Sequence, residues 1–199
     1  MPGRYKRKLP EDLVQHPTVV AYDPGGTTGW SVLSFHAESL SEPDVSMLDN
    51  IEHWTHGEID CDMPASYGKR TYSKDMEIRG IQVMVDIAEA WPGAVLLIED
   101  FIMFTQRKDR ETLTPVRLIA MFDYAMAPNN VYRQMPSEKG GATDERLKEW
   151  NLYEREGGAG HARDADRHGI VLMRKAKAKR ATRHTYWPHL YDMNGILIG

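Results

Sequence analysis

Apolar positions along the chain follow two rhythms, one of strands and one of helices. Thr18–Asp23 (TVVAYD) is almost continuously apolar, as in a strand buried on both faces, and it halts at Pro24-Gly25-Gly26, which must turn. Residues 29–35 (GWSVLSF) are rich in aromatic and branched side chains, and residues 51–59 (IEHWTHGEI) form a more polar run. Both are expected as antiparallel neighbours of the first strand, giving a three-stranded meander. Residues 94–98 (AVLLI) are too few for a helix between their breakers and predict a second buried strand whose exit is marked by Glu99 and Asp100. Residues 131–135 predict a short last strand.

Helical spacing fills the intervals. Ser73 is a candidate N-cap for a helix carrying Ile78, Ile81, Val85 and Ala88, with Trp91 continuing the stripe and Pro92-Gly93 stopping it. Thr114-Pro115 has the chemistry of an N-cap and first helical position, followed by Val116, Ile119, Phe122 and Met126 and broken at Pro128-Asn129-Asn130. Thr143 predicts the cap of a helix running to Tyr153, and Gly157-Gly158-Ala159-Gly160 a flexible entry to a last helix from about His161 to Lys179. Segments 39–50 and 60–72 stay unassigned, and no internal repeat is visible. The resulting order, βββαβαβαα, predicts an α/β fold: a mixed five-stranded sheet with helices on both faces.

At 199 residues and 41% hydrophobic content, the chain suits one core, divided as a basic arm (1–17), a folded domain (18–180) and a C-terminal tail (181–199). Cys61 is the lone cysteine, so no disulfide forms within the chain, and a reducing, cytoplasmic setting fits best. The first ten residues lead into no apolar segment and no run is long enough to cross a bilayer, so a soluble protein without a membrane partner is expected. The net charge of −4 conceals a polar layout. Arg4, Lys6, Arg7 and Lys8 open the chain, and Arg167, Arg174, Lys175, Lys177, Lys179, Arg180 and Arg183 form a late basic run. That run is a candidate phosphate-contacting surface, and equally a helix end whose cations oppose the macrodipole.

Two buried strands that end in carboxylates, Asp23 and Glu99, need charge compensation, and a divalent metal ion supplies it economically. His161 and Asp164 stand three residues apart, on one helical face, where both can reach a single ion. Ala162 and Ala165 are small enough to let that helix approach the sheet. Asp100 faces away from Glu99 on its strand, and Asp166 lies about 200° round the helix from Asp164, so neither belongs to the set. Each member also has a plain role: Asp23 as a turn residue, Glu99 as a strand-end acid, His161 as an N-terminal cap and Asp164 as a first-turn acid.

The segment Val20-Ala21-Tyr22-Asp23-Pro24-Gly25-Gly26-Thr27-Thr28-Gly29-Trp30 resembles the first acidic motif of RuvC-type Holliday-junction resolvases. Leu97-Ile98-Glu99-Asp100-Phe101 resembles their second, and His161-Ala162-Arg163-Asp164-Ala165 their third. The resemblance spans about residues 18–175 and implies a ribonuclease H-like fold, of the kind expected in a bacterial or phage-infected cell. It also implies nicking of branched DNA by a homodimer that embraces a four-way junction, with metal ligation by Asp23, Glu99, His161 and Asp164. In a two-metal site Asp23 would bridge the ions, with Glu99 on one and His161 and Asp164 on the other. Oxygen-rich ligation favours Mg²⁺, and His161 admits Mn²⁺. Gln134, Lys139 and Lys148 lie in the region of the family's substrate-contacting lysines. Lys139 and Lys148, with Arg174, Lys175, Lys177, Lys179 and Arg180, are the DNA-contact candidates.

Other classes compete. A nuclease of the same fold acting on flaps, RNA–DNA hybrids or packaging intermediates would use the same ligands. The Asp23-Pro24-Gly25-Gly26-Thr27-Thr28-Gly29 loop also resembles the phosphate loop of sugar kinases and actin-like ATPases, but the chain is short for two lobes and shows Glu99-Asp100-Phe101 where a second such loop is needed. A non-catalytic DNA-binding module would leave the acids structural. His53, His56 and Cys61 match no closed zinc pattern and read as strand-exposed histidines beside a cysteine. Trp54, Trp150 and Trp187 read as core residues before base-stacking ones.

Overall fold

The computed structural model describes residues 14–66, 69–102, 113–127, 129–153 and 160–198. The basic N-terminal cluster Arg4, Lys6, Arg7 and Lys8 and the glycines at 157 and 158 lie outside these residues. The elements run β1 (Thr18–Asp23), β2 (Thr27–Phe35), α1 (Ala37–Ser41), β3 (Ile51–Asp60), β4 (Met63–Ser66), β5 (Lys69–Thr71), α2 (Lys74–Ala90) and β6 (Val95–Glu99). They continue through α3 (Thr114–Met126), β7 (Val131–Gln134), α4 (Asp144–Glu149), α5 (Gly160–Ala178) and α6 (Arg180–Tyr186).

Five strands form one sheet in the order β3-β2-β1-β6-β7. The β1–β2–β3 meander is antiparallel, whereas β6 and β7 run parallel to β1. The expected mixed α/β sheet is therefore present. Segment 60–72, left open by the sequence pattern, holds the separate two-stranded β4–β5 ribbon. Segment 39–50 holds the end of α1 and a 3-10 turn, Leu48–Asn50.

Alternation along β1 divides the core, because successive side chains leave a strand on opposite faces. Val19 and Ala21 join Leu33 and Phe35 under α5, while Val20 and Tyr22 join Val32, Leu96 and Ile98 under α2 and α3. Trp187 belongs to the first cluster and donates from Nε1 to the Thr18 carbonyl at 3.0 Å, so the C-terminal segment helps to close that face. Among the described residues, no helix is long and apolar enough to cross a membrane.

Two helical stripes sit differently from expectation. Ile78 on α2 is 48% exposed, and the buried face is Glu77, Gly80, Ile81, Met84 and Ala88. The helix is turned so that Gly80 meets the Cys61 side chain, and Glu77 takes the Arg117 guanidinium at 2.5 Å. On α3, Val116 is 41% exposed and Leu118 is buried instead. Leu113, not Thr114, is the N-cap there, and Thr114 Oγ1 donates to Asp62 Oδ2 at 3.2 Å. Ser73 does cap α2, accepting from the Met76 amide, and Thr143 caps α4, which stops at Glu149 before Asn151 turns with φ of 53°.

Close contact between α5 and β2 fixes the helix that carries His161 and Asp164. A side chain on Gly29 would overlap the His161 carbonyl and lie 2.6 Å from the Ala162 amide nitrogen, while one on Gly169 would meet Leu33 Cδ1 at 2.8 Å. The first clash is with helix backbone and can be relieved only by moving α5, whereas the second is with the tip of the Leu33 side chain. Gly29→Ala is expected to lower stability by about 1–3 kcal/mol, measured by urea unfolding; an unchanged midpoint would contradict this seating of α5.

Candidate metal centre

The parallel register brings three strand ends together. Tyr22 pairs with Ile98, and Glu99 pairs with Gln134, so Asp23, Glu99 and Gln134 emerge at the carboxyl edge of β1, β6 and β7. The first turn of α5 closes over that edge, setting His161 Nδ1 2.9 Å from Asp23 Oδ2. Glu58, on β3, accepts the His161 amide at 3.0 Å and so satisfies one of the helix's unpaired N–H groups.

A fourth element supplies the centre of the arrangement. The 3-10 turn Pro136–Gly141 follows β7, and from it Lys139 Nζ reaches Asp164 Oδ2 at 2.7 Å, Glu99 Oε2 at 2.9 Å and Asp23 Oδ1 at 4.0 Å. Three carboxylates from three elements thus face one ammonium group. The turn is held by its own carbonyls: Gly141 O accepts from Arg146 at 2.9 Å and from Arg174 at 2.8 Å.

The electrostatics follow from burial and from these contacts. Burial pushes the Asp23 carboxyl above its ordinary value, the neighbouring Glu99 charge adds to the rise, and the His161 hydrogen bond opposes it. Burial acts the same way on Glu99, but hydrogen bonds from His168 and Lys139 outweigh it and hold the group below its ordinary value. Burial would lower the Lys139 pKa, yet Asp164 and Glu99 together raise it, so its positive charge is reinforced. His161 is raised by its hydrogen bond to Asp23.

Behind these groups stands a ring of support. His168 is fully buried and spans Glu99 Oε2 at 2.5 Å and Gln134 Oε1 at 2.7 Å. Arg167 binds Asp164 and Asp144. Asp166, on the other side of α5, is buried against β2 and β3, where its carboxylate takes Ser31 Oγ at 2.6 Å, Trp54 Nε1 at 2.9 Å and His56 Nδ1 at 2.6 Å. This network anchors the helix one turn from His161.

The sequence-predicted set is brought to one place: Asp23, Glu99 and Asp164 share the Lys139 ammonium, and His161 touches Asp23. Asp100 instead faces Arg133 at 3.7 Å, and Asp166 is the anchor just described. His168 was missed, although it continues the face of His161 and Asp164 at the next helical turn, a spacing visible in the sequence. His56 is no strand-exposed histidine, since its side chain is 6% exposed and held by Asp166. Cys61 is buried too, with its thiol 3.3 Å from Thr28 Oγ1 and its pKa pushed up to about 11 by that burial. In the glycine loop, the Gly25 amide donates to Thr28 Oγ1 at 3.2 Å, so this N–H is used within the turn rather than offered to a phosphate.

The basic candidates divide. Lys177 Nζ caps the carbonyls of Ser39, Glu42 and Val45, a structural task that removes it from a solvent-facing phosphate surface. Arg183 is likewise buried on the Leu40 carbonyl. Lys175 pairs with Glu138, Lys148 lies 4.8 Å over the Tyr153 ring, and Arg174, Lys179 and Arg180 are exposed.

Because Asp23 holds the His161 proton, the metal-free protein should show a His161 ring titration midpoint above 6.5. Replacing Asp23 by Asn removes the main cause, so the midpoint should fall toward 6.5 when followed by NMR. A midpoint indifferent to that substitution would mean the two side chains are not in contact.

No protein-family model matches the chain, and no curated protein does. Solved structures do. The chain is similar to T. thermophilus RuvC in complex with a Holliday junction substrate, at 15% identity and a TM-score of 0.54, covering 84% of this chain and 98% of that one. A second structure of Thermus thermophilus RuvC has 15% identity, a TM-score of 0.47, and covers 83% and 97%. The fold is thus that of the first of these structures, a ribonuclease H-like fold.

Proposed function

We propose that this protein is a divalent-metal-dependent endodeoxyribonuclease that nicks branched DNA. The observation that carries the proposal is the convergence of Asp23, Glu99 and Asp164 on one cationic point, with His161 against Asp23. The donor types suit a divalent ion, and their atoms surround the Lys139 ammonium rather than standing within 4.8 Å of one another. Three carboxylate donors and one imidazole, at the rim of a sheet, match the hard donor set of Mg²⁺ with tolerance for Mn²⁺. Lys139 and Arg167, the latter shared with Asp144, leave the carboxylates short of full compensation, and burial already disfavours ionised Asp23.

Asp23, Glu99, His161 and Asp164 would hold the divalent metal. When bound, the metal supplies an activated water and stabilisation of the leaving 3′ oxygen of the phosphodiester. The chain's own groups do the rest. His161 must release its proton before its nitrogen can act as a ligand, so acid conditions weaken the site. His168 fixes the Glu99 carboxylate, and Arg167 fixes Asp164. Lys139 balances the carboxylates while no ion is present and, once displaced, is the cation placed to meet the scissile phosphate.

Branched DNA is inferred from the structural likeness, since the similar T. thermophilus protein is described with a Holliday junction substrate. A homodimer would present two such sites to two of the four strands of a four-way junction. Exposed Arg174, Lys179 and Arg180 are available to flanking phosphates.

Asp23→Asn keeps the side-chain shape and removes the charge, so the purified variant should bind a labelled four-way junction yet lose nicking by at least about 10²-fold. Assaying junction, flap, hybrid and linear duplex side by side identifies the substrate, and symmetric incision of the junction is expected. Undiminished nicking by the variant would remove the assignment. His168→Ala, which removes the bonds to Glu99 and Gln134 but no proposed ligand, should weaken metal activation about 10–100-fold, seen as a shifted Mg²⁺ titration that higher Mg²⁺ largely restores.

A further inference from the structure

At the opposite end of the sheet a second group of metal-binding side chains meets. We propose that His16, His36 and Glu52 form a separate site for a zinc-class transition-metal dication. Each residue offers one ligand atom, and these atoms all lie within 4.8 Å of one another. His36 Nε2 and Glu52 Oε2 are already 3.0 Å apart. Tetrahedral bonds of about 2.0–2.1 Å place neighbouring ligand atoms roughly 3.3 Å apart, so closing the set needs only side-chain rotation.

The backbone holds the three positions together. His16 stands two residues before β1, His36 directly follows β2, and Glu52 is the second residue of β3. The Phe35 amide donates to the Pro17 carbonyl at 3.2 Å, and the His36 amide to the Asn50 carbonyl at 3.0 Å. Thr18 Oγ1 lies 2.9 Å from both the His16 carbonyl and Ser34 Oγ. These bonds fix where each ligand leaves the chain. Asp23 is at the far end of β1, roughly 17 Å from its first residue Thr18 at about 3.3 Å per residue, so the two centres share no ligand.

A surface ion pair between His36 and Glu52 would account for two of the three residues, both 43% exposed. It does not account for His16, whose Nδ1 is buried without a hydrogen-bond partner among the described residues. An unmet buried nitrogen costs free energy, and a cation or its bound water can recover it. His16 and Glu52 also line a hollow of about 460 Å³ with His53, whose Nε2 is buried and equally unmet. The hollow gives an ion access and leaves room for a water ligand.

Ligand chemistry selects the ion. Two imidazoles and one carboxylate suit Zn²⁺, Co²⁺ or Ni²⁺ and are poor hosts for Mg²⁺, the reverse of the oxygen-rich carboxylate centre. Bound there, the ion would clip the segment entering β1 to the β2–α1 corner and to β3, and so stabilise the folded chain.

The test uses the full chain with Mg²⁺ in excess to occupy the carboxylate centre. Zinc titration by calorimetry, and the visible absorption of the cobalt(II) form, should report one site, with a melting temperature that rises with zinc concentration. Asp23→Asn should leave all three readings unchanged, which separates this site from the nuclease centre whatever the nicking assay gives. His36→Gln and Glu52→Gln, both at half-exposed positions that tolerate substitution, should each weaken zinc binding at least about tenfold, and their combination should abolish the cobalt(II) band. Zinc binding that persists in the double variant, or that is lost in Asp23→Asn instead, would overturn the proposal, as would a wild-type chain that takes up no zinc.

Discussion

Mutual repulsion of three carboxylates is the constraint around which this structure is arranged. Asp23, Glu99 and Asp164 come from β1, β6 and α5 and meet where burial makes their charges costly. Two unit charges 4 Å apart interact by about 4 kcal/mol at an effective dielectric near 20, so such a cluster would spread apart without compensation. Lys139 supplies one positive charge at its centre, and His161 supplies a proton to Asp23. Arg167 adds a second permanent cation at Asp164 but shares it with Asp144, so the set is still not neutralised. The fold therefore keeps a place with a standing preference for added positive charge, and the scaffold's task is to hold that place rigid.

The scaffold does so mainly through α5. Gly29 on β2 lets the backbone of His161 and Ala162 rest against the sheet, and Gly169, further along α5, lies against the side chains of Leu33 and Val19. Asp166 then pins the helix from within, accepting three hydrogen bonds from Ser31, Trp54 and His56. A buried carboxylate with its acceptor sites filled is weak evidence of net stability but strong evidence of position, because any slide of the helix would leave it unmet. His161, Asp164 and His168 project from the opposite side of the same helix. One helix thus carries the anchor on one face and the chemistry on the other.

What the sequence made legible follows from local rules. The strand-end acids were readable because Pro24-Gly25-Gly26 must turn immediately after Asp23, and because residues 94–98 are too short for a helix. The His161 and Asp164 pair was readable from helical spacing alone. What escaped depended on contacts between distant segments. The rotation of α2 is set by Gly80 against Cys61 and by Glu77 with Arg117, so counting apolar residues placed Ile78 inside when it is outside. Lys139 stood among the DNA-contact candidates, since nothing in its neighbourhood reveals that the Pro136–Gly141 turn aims it at carboxylates 25 and 40 residues away in the chain. His56 could be assigned a partner only once α5 crossed β3, bringing Asp166 to it from 110 residues away.

Position along α5 also separates reaction from substrate in the proposed function. The carboxylate centre lies at the start of the helix, and Arg174 lies ten residues beyond Asp164, roughly 15 Å further at 1.5 Å per residue. Successive phosphates on one strand of a duplex rise about 3.4 Å along its axis. In the proposed function, a cation that far along the helix would meet a flanking phosphate rather than the one being cut. Lys139, by contrast, already sits within the carboxylate cluster. In the proposed function, the metal ligands and Lys139 would therefore set the chemistry, while the exposed cations towards α6 would set which shape of DNA can reach it. Residues of the first kind converge on one point and are fixed by the fold. Those of the second kind are spread over solvent-facing turns, where a change of sequence alters the substrate without disturbing the chemistry.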